Sequence, residues 1–426
     1  MKVVCYNLGC KVNQYECDSI TKALREKGIE VSEKLEKADI YILNTCAVTN
    51  EAERKSRQCV ERCLKYNSNA KVYVCGCASQ HNAEQFINKS NVEFVIGSAN
   101  KMQLVNSIQK KDEGVLIKDI PLCYEDEYSP TVDRTRGYIK IQDGCNNFCS
   151  YCLIPYVRGR SRSRSIDSVF NEVLELQSQT KEIVLTGIDI SSFGKDTKES
   201  FIELLDKIKD VDIRIRLGSL EVNIITEEFL IALTKLKNFC PQFHLSLQSG
   251  CNEILKKMNR HYTTNVYLEK VKLIRKYFKN AGITTDLICG FPTETDENHL
   301  ETIDFIKTVG FSQMHVFPYS KREGTRASKM VQCDKKIAKE RCKEISQIAS
   351  EMKIEYIKKF IGQKLELLVE DEENGYMTGY SKEYIKCYIE GAQKNSIISV
   401  EGIAVKGDIL IVKKVWLCAI VYFVKW

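Results

Sequence analysis

Twice along this chain of 426 residues, short apolar runs alternate with amphipathic helical patterns, and that rhythm commits most of it to parallel sheets built from βαβ units. In the first hundred residues Lys2–Tyr6, Asp39–Asn44, Val72–Val74 and Val92–Ile96 read as strands, while Gln14–Lys27, Glu51–Tyr66 and Lys101–Gln109 read as helices. The stretch Asp112–Arg136, with Pro121, Pro130 and the acidic run Glu125–Glu127, has neither period and reads as a linker. From Gly137 to about Phe360 the rhythm restarts, with strands expected at Tyr138–Gln142, Ile183–Thr186, Ile213–Leu217, His244–Leu247, Thr284–Ile288 and Met314–Pro318. That number of strand–helix units fits a complete or partial barrel, whose chemistry would lie at the strand C-terminal ends. Beyond Gly362 the runs Leu365–Val369, Tyr384–Ile389, Ile397–Val400 and Ile409–Val415, split by Gly- and Asn-rich turns, predict a small antiparallel barrel. The expected fold is therefore α/β in three domains: a parallel-sheet domain at 1–118, a partial (β/α) barrel at 131–361 and a small β-barrel at 362–426.

Composition narrows the class. Hydrophobic residues make up 43% and charged residues 28%, and no apolar run approaches the roughly eighteen residues of a membrane span. The N-terminus MKVVCYNLGCKVNQYE lacks a small-residue cleavage pattern, so a cytoplasmic protein with no membrane partner is expected. Nineteen cysteines in such a chain are not a disulfide framework, because cytosolic thiols are kept reduced, and some of them are better read as metal ligands. A net charge of +6 gives only weak support for a polyanionic partner.

Directly after the first strand of the second series stands GCNNFCSYC, residues 144–152, a C-x3-C-x2-C spacing. Three thiolates hold three irons of a [4Fe–4S] cube and leave the fourth open for a substrate, whereas electron-transfer clusters normally take four protein ligands. A second constellation is scattered: LGCKVNQYE, NTC and GCASQ put Cys10, Cys46 and Cys77 just past the ends of three predicted strands. In an open parallel sheet those ends converge on one crevice, so three distant cysteines can share a metal there; three buried structural thiols are the alternative that spacing alone leaves open. Cys75, two residues before Cys77, is a rival ligand. The five histidines show no ligand spacing.

The segment CNNFCSYCLIPYVRGRSRSRS resembles the cluster loop of radical S-adenosylmethionine (SAM) enzymes, and in particular of the methylthiotransferase family. The resemblance implies that Cys145, Cys149 and Cys152 hold one cluster, whose open iron chelates SAM for one-electron cleavage to a 5′-deoxyadenosyl radical. LGCKVNQYE, NTC and GCASQ are similar to the family's other cluster motifs, implying a second [4Fe–4S] cluster on Cys10, Cys46 and Cys77, where sulfur is bound and methylated by a first SAM; Cys77 is preferred over Cys75 for its Gly-Cys position. EIVLTGIDISSFG, IRLGSLE, HLSLQSGCNEILKKMNR and TTDLICGFPTET also resemble family blocks. They imply Thr186, Gly187, Glu221, Gln248 and Gly290, with Tyr151 before the last cysteine, as SAM-pocket residues, although the glycines are at least as readily turn closers. Thr186-Gly187 stands where many relatives carry Gly-Gly-Glu, and this chain lacks the acid.

Lys11-Val12-Asn13-Gln14-Tyr15-Glu16 is similar to the branch that acts on N6-threonylcarbamoyladenosine next to the tRNA anticodon; branches acting on isopentenyladenosine or on a ribosomal protein aspartate differ at that point. Implied partners are a tRNA anticodon stem-loop and an electron donor such as flavodoxin or ferredoxin. A carboxylate-bearing substrate needs a cation, for which Lys11 or one of Arg158 to Arg164 is the candidate, although the alternating arginines read by default as a solvated face. The C-terminal barrel stands where the family has its TRAM module for RNA. From Gln363 on, however, it holds eight lysines and no arginine against two aspartates and seven glutamates, a poor balance for an electrostatic clamp, and it ends in the apolar run Val415–Trp426. The reading from another class is a non-enzymatic zinc protein that binds RNA.

Overall fold

The structure is a computed structural model that describes residues 1–126 and 134–415. Pro130 and nearly all of the apolar C-terminal run lie outside the described residues. The N-terminal sheet contains β1 (Lys2–Asn7), β2 (Glu30–Ser32), β3 (Ile40–Thr45), β4 (Lys71–Gly76), β5 (Val92–Ile96) and β6 (Gly114–Leu116), all parallel, in the order β2-β1-β3-β4-β5-β6. Its central strands are buried on both faces because helices cover both. Val4, Tyr41 and Val74 pack on one side with Cys59 and Cys63 of the helix Asn50–Tyr66; Cys5, Ile42 and Cys75 pack on the other with Ile20 and Leu24 of the helix Lys11–Glu26. The edge strand β6 takes up part of the stretch expected to be linker, and Tyr124 later in that stretch donates its hydroxyl to the carbonyl of Lys140 at 2.8 Å.

All six strands expected in the second series are present, in a barrel that stays partial. The strands β7 (Arg136–Asp143), β8 (Arg162–Ser163), β9 (Glu182–Gly187) and β10 (Arg214–Leu217) form one sheet in the order β10-β9-β7-β8, where β8 is antiparallel. The strands β11 (Ser219–Leu220), β12 (Gln242–Leu245), β13 (Gly282–Cys289) and β14 (Gln313–Pro318) form a second, parallel one. Ile139, Leu185, Leu217, Leu245 and Leu287 join the surrounding helices in one apolar core.

The strands β15 (Lys364–Glu373), β16 (Tyr376–Ser381), β17 (Lys386–Ile389), β18 (Ile397–Lys406) and β19 (Ile409–Lys414) close the small barrel. Its pairings are antiparallel except β17 with β19, which is parallel and completes the closure. It is tied to the core by Arg214, whose guanidinium donates to Glu366 at 2.9 Å, and by Arg216, which donates to the carbonyl of Lys382 at 3.0 Å. No helix among the described residues is long and apolar enough to cross a membrane.

Candidate functional site

Three adjacent parallel strands of the N-terminal sheet deliver Cys10, Cys46 and Cys77 to one edge. Cys46 and Cys77 directly follow β3 and β4, and Cys10 follows β1 after a two-residue turn. Two asparagines fasten the Cys10 and Cys46 loops together: Asn13 donates to Asn44 Oδ1 at 2.8 Å, and Asn44 donates back to the Asn13 carbonyl at 3.0 Å. Asn13 Oδ1 also stands 3.2 Å from the Cys10 thiol. Gly76 has φ +111°, and a Cβ there would come 2.5 Å from the Thr45 carbonyl, so the turn into Cys77 demands glycine. The three thiols sit within Coulombic reach of one another. Burial, followed by Cys77, pushes the Cys46 thiol up to about 12. The structure separates Cys77 from its rival, because Cys75 is buried with Cys5 and Cys17 on the opposite face of the sheet.

The second triplet lies on a loop fixed at both ends. Cys145 N–H donates to the Gly159 carbonyl at 3.0 Å, Ser150 N–H to the Met258 carbonyl at 3.0 Å, and Asn259 to the carbonyls of Asn147 and Phe148 at 3.0 and 3.1 Å. Cys145, Cys149 and Cys152 are partly accessible, and burial pushes the first and last up to about 12, so both stay neutral thiols until a cation compensates the thiolate. Arg260 donates to Cys149 Sγ at 3.2 Å and to Glu221 Oε1 at 2.7 Å. Among the described residues no three His, Cys, Asp or Glu side chains close around a single ion. Three partly accessible thiols on one fixed loop can each take a corner of a four-iron cube and leave the fourth iron open.

The two triplets face each other across a buried ion network that sequence reasoning missed. Arg158, only 1% exposed, donates Nε to Cys77 Sγ at 3.2 Å, Nη1 to Glu16 at 2.9 Å and to Asp143 at 3.2 Å, and Nη2 to Asn13 at 3.1 Å. Asp143 in turn accepts from Gly144 N–H at 2.8 Å, beside Cys145. Lys101, itself fully buried, pairs with Glu16. Burial opposes the charge on Arg158, yet Cys77, Glu16 and Asp143 hold its pKa well above the ordinary value. Glu16 shows the converse: burial raises it, but Arg158, Lys101 and Lys140 drive it well below the usual carboxylate range. The expected solvated arginine face is thus corrected. Arg158, Arg162 and Arg164 are buried, Arg164 pairing with Glu172, and only Arg160 is exposed, stacked 4.4 Å over the Phe148 ring.

Beside the Cys145–Cys152 loop opens a cavity of about 440 Å³, lined among others by Asn147, Asp189, Glu221 and Arg260. Of the expected SAM-pocket residues Glu221 lines it. Thr186 is buried at the end of β9, and a Cβ on Gly187 would stand 2.8 Å from Ile190 and 2.9 Å from the Gln142 carbonyl, a packing requirement. Tyr151 packs edge-on to Phe291 at 6.4 Å. Gln248 sits at φ +67° with its N–H on the Asp286 carbonyl at 2.9 Å, and Gly290 at φ +67° leaves room for Ala338; both close βα turns. Asp189, two residues past Gly187, was not singled out by sequence. It accepts from Asn147 at 3.2 Å, stands 4.0 Å from Cys145 Sγ, and keeps its buried Oδ1 without a partner among the described residues. Burial, then neighbouring Glu221, push its carboxyl up to about 6.

A partial barrel with three cysteines on the loop after its first strand defines a radical SAM protein, and residues 139–306 match the family described as the Radical SAM superfamily. Residues 2–97 match "Uncharacterized protein family UPF0004". The chain is 35% identical over 410 residues to threonylcarbamoyladenosine tRNA methylthiotransferase MtaB of Bacillus subtilis (strain 168), covering 92% of this chain and 91% of that protein. It is 36% identical over 403 residues to the protein of the same name from Thermotoga maritima, covering 92% of each. A tRNA-2-methylthio-N(6)-dimethylallyladenosine synthase of Finegoldia magna is 32% identical over 437 residues, with 94% and 93% covered. Among solved structures, the radical SAM methyltransferase TsrM of Kitasatospora setae shares the fold at TM-score 0.55 and 16% identity, over 88% of this chain and 77% of that one. The chain belongs to the methylthiotransferase family of radical SAM enzymes. It is a transferase that uses SAM and a [4Fe–4S] cluster.

Proposed function

We propose that this enzyme adds a methylthio group at C2 of N6-threonylcarbamoyladenosine next to the tRNA anticodon, using a second [4Fe–4S] cluster on Cys10, Cys46 and Cys77. The observation that carries the reading is the opposition of two three-cysteine sites across Arg158, since putting sulfur on an aromatic carbon needs a radical source and a sulfur store side by side. When bound, SAM and the cluster on Cys145, Cys149 and Cys152 supply a 5′-deoxyadenosyl radical able to take the C2 hydrogen. The protein contributes position and charge. Asp189 and Glu221 present carboxylates to the cavity beside Cys145 and Cys149, a match for the ammonium and sulfonium of SAM, and Asp189 thereby stands in for the acid missing after Gly187. Arg260 fixes Glu221, and Phe148, Tyr156 and Arg160 form an aromatic and cationic lip suited to unpaired nucleotides.

Anaerobic reconstitution should give about eight irons per chain, two cubes of four. Cys77→Ala should lose about half of that iron and Cys75→Ala none, read by iron analysis; about four irons in the unmodified chain would remove the second cluster. The substrate is tested by nucleoside analysis of tRNA from cells lacking this chain. The methylthio group should vanish from threonylcarbamoyladenosine while the threonylcarbamoyl group stays. The synthase relative favours isopentenyladenosine as the second reading, and loss of the methylthio group from that nucleoside would establish it instead.

A further inference from the structure

The threonylcarbamoyl group of the substrate proposed above carries a carboxylate that plain adenosine lacks, and that carboxylate must meet a cation inside the site. We propose that Lys11 is that cation and that it selects the acidic N6 substituent; the inference rests on the threonylcarbamoyl reading. On adenine, C2 and the N6-bearing carbon both flank N1, so an N6 substituent lies close to the carbon that is modified. A residue recognising it must therefore stand beside the sulfur-carrying cluster. Lys11 is the first residue of the helix Lys11–Glu26, whose N-cap is Cys10.

Charge accounting separates it from the neighbouring arginines. Arg158 and Arg164 are consumed in buried ion pairs, and Arg162 donates to the carbonyls of Arg158 and Arg160 at 2.7 and 3.0 Å. Arg160 lies on the outer lip over Phe148. Deeper in the barrel Arg136, Arg214 and Arg216 share Glu182, with Glu366 and Glu370 as further partners. The Lys11 ammonium makes no ion pair or hydrogen bond among the described residues. It stands within Coulombic reach of Arg136, Arg216 and Glu182 from the first core sheet and of Asp286 and His315 from the second, which places it in the gap between the two sheets. Its side chain is solvent-accessible, so the ammonium is open to an incoming ligand. A carboxylate entering the gap would also relieve the repulsion between Lys11 and the two guanidiniums.

The test is a binding cycle on the anaerobically reconstituted full chain, with anticodon stem-loops carrying adenosine, threonylcarbamoyladenosine, or its uncharged threoninamide analogue. The unsubstituted protein should bind the acid about ten- to a hundredfold tighter than the amide, the range of a charge-assisted hydrogen bond. Lys11→Gln should erase that ratio, and Lys11→Arg should keep most of it. Because the cycle compares ligands on one protein, a general folding defect would not mimic loss of the ratio. A full ratio in Lys11→Gln, an equal loss for all three RNAs, or loss of the ratio in Arg160→Gln instead would overturn the assignment. If the unsubstituted protein has no preference for threonylcarbamoyladenosine over adenosine, the substrate reading itself fails.

Discussion

Alanine at Cys145, Cys149 or Cys152 is expected to bring 5′-deoxyadenosine formation from SAM down to the background of the chemical reductant, while about four irons stay on the N-terminal triplet. Each substitution removes one corner anchor of a cube that has no spare protein ligand. Cys251 offers no replacement: it is buried with Ile254, Met258 and Phe291, and its sulfur accepts from Asn298 at 3.3 Å. The loop itself should survive, since its shape depends on backbone bonds from Cys145, Ser150 and Cys152 and on Asn259, none of which needs a thiol. The iron that remains is the informative control, because within the N-terminal sheet Asn13 and Asn44 join the Cys10 and Cys46 segments and Thr45 ties in the turn that carries Cys77. Anaerobic incubation with dithionite and SAM, with product quantified by chromatography, decides the matter. Undiminished 5′-deoxyadenosine in any of the three variants would dissociate this loop from SAM cleavage.

What could be read from the sequence follows from how far apart the cooperating residues lie. Cys145, Cys149 and Cys152 fit within eight residues, and Cys10, Cys46 and Cys77 each follow a strand whose pattern is local, so topology alone gathers them. The arginines were misread because their partners are remote. Glu16 is 142 positions from Arg158 in the chain, and no periodicity signals such a pairing. Asp189 escaped notice for a related reason: what marks it is a carboxylate with one buried oxygen unpartnered among the described residues and the other 4.0 Å from Cys145 Sγ, a property of the fold and not of the string Ile188-Asp189-Ile190. The two-residue strand β8 was invisible because it is too short to show alternation, although it is what buries Arg162 and Arg164 beside β7. In the small barrel β16 was missed, since Gly379, which lets β15 approach, interrupts its apolar pattern.

Arg158 is the residue on which the two halves of the site most depend. It rises from the loop that follows Cys152, yet its donors end on Cys77, Glu16 and Asn13 of the N-terminal domain as well as on Asp143 of the core. Arg158→Met keeps the length and removes the charge, leaving Glu16 and Asp143 buried with only Lys101, Lys140 and Arg162 to balance them. Breaking such a network by removing one partner costs about 3–5 kcal/mol, and the remaining cations place this case toward the lower end. Arg158→Lys should recover only part of it, because an ammonium is a compact charge and cannot reach a thiol, two carboxylates and an amide in one plane. Denaturant unfolding of the metal-free protein measures the loss, and iron analysis of the reconstituted protein measures whether the Cys77 site still loads. A substitution at Arg158 that changes neither the unfolding midpoint nor the iron content would mean that the contacts from the core to the N-terminal triplet carry little energy, and that the facing of the two cysteine sites is maintained by other contacts such as Arg322 with Glu53 at 2.5 Å.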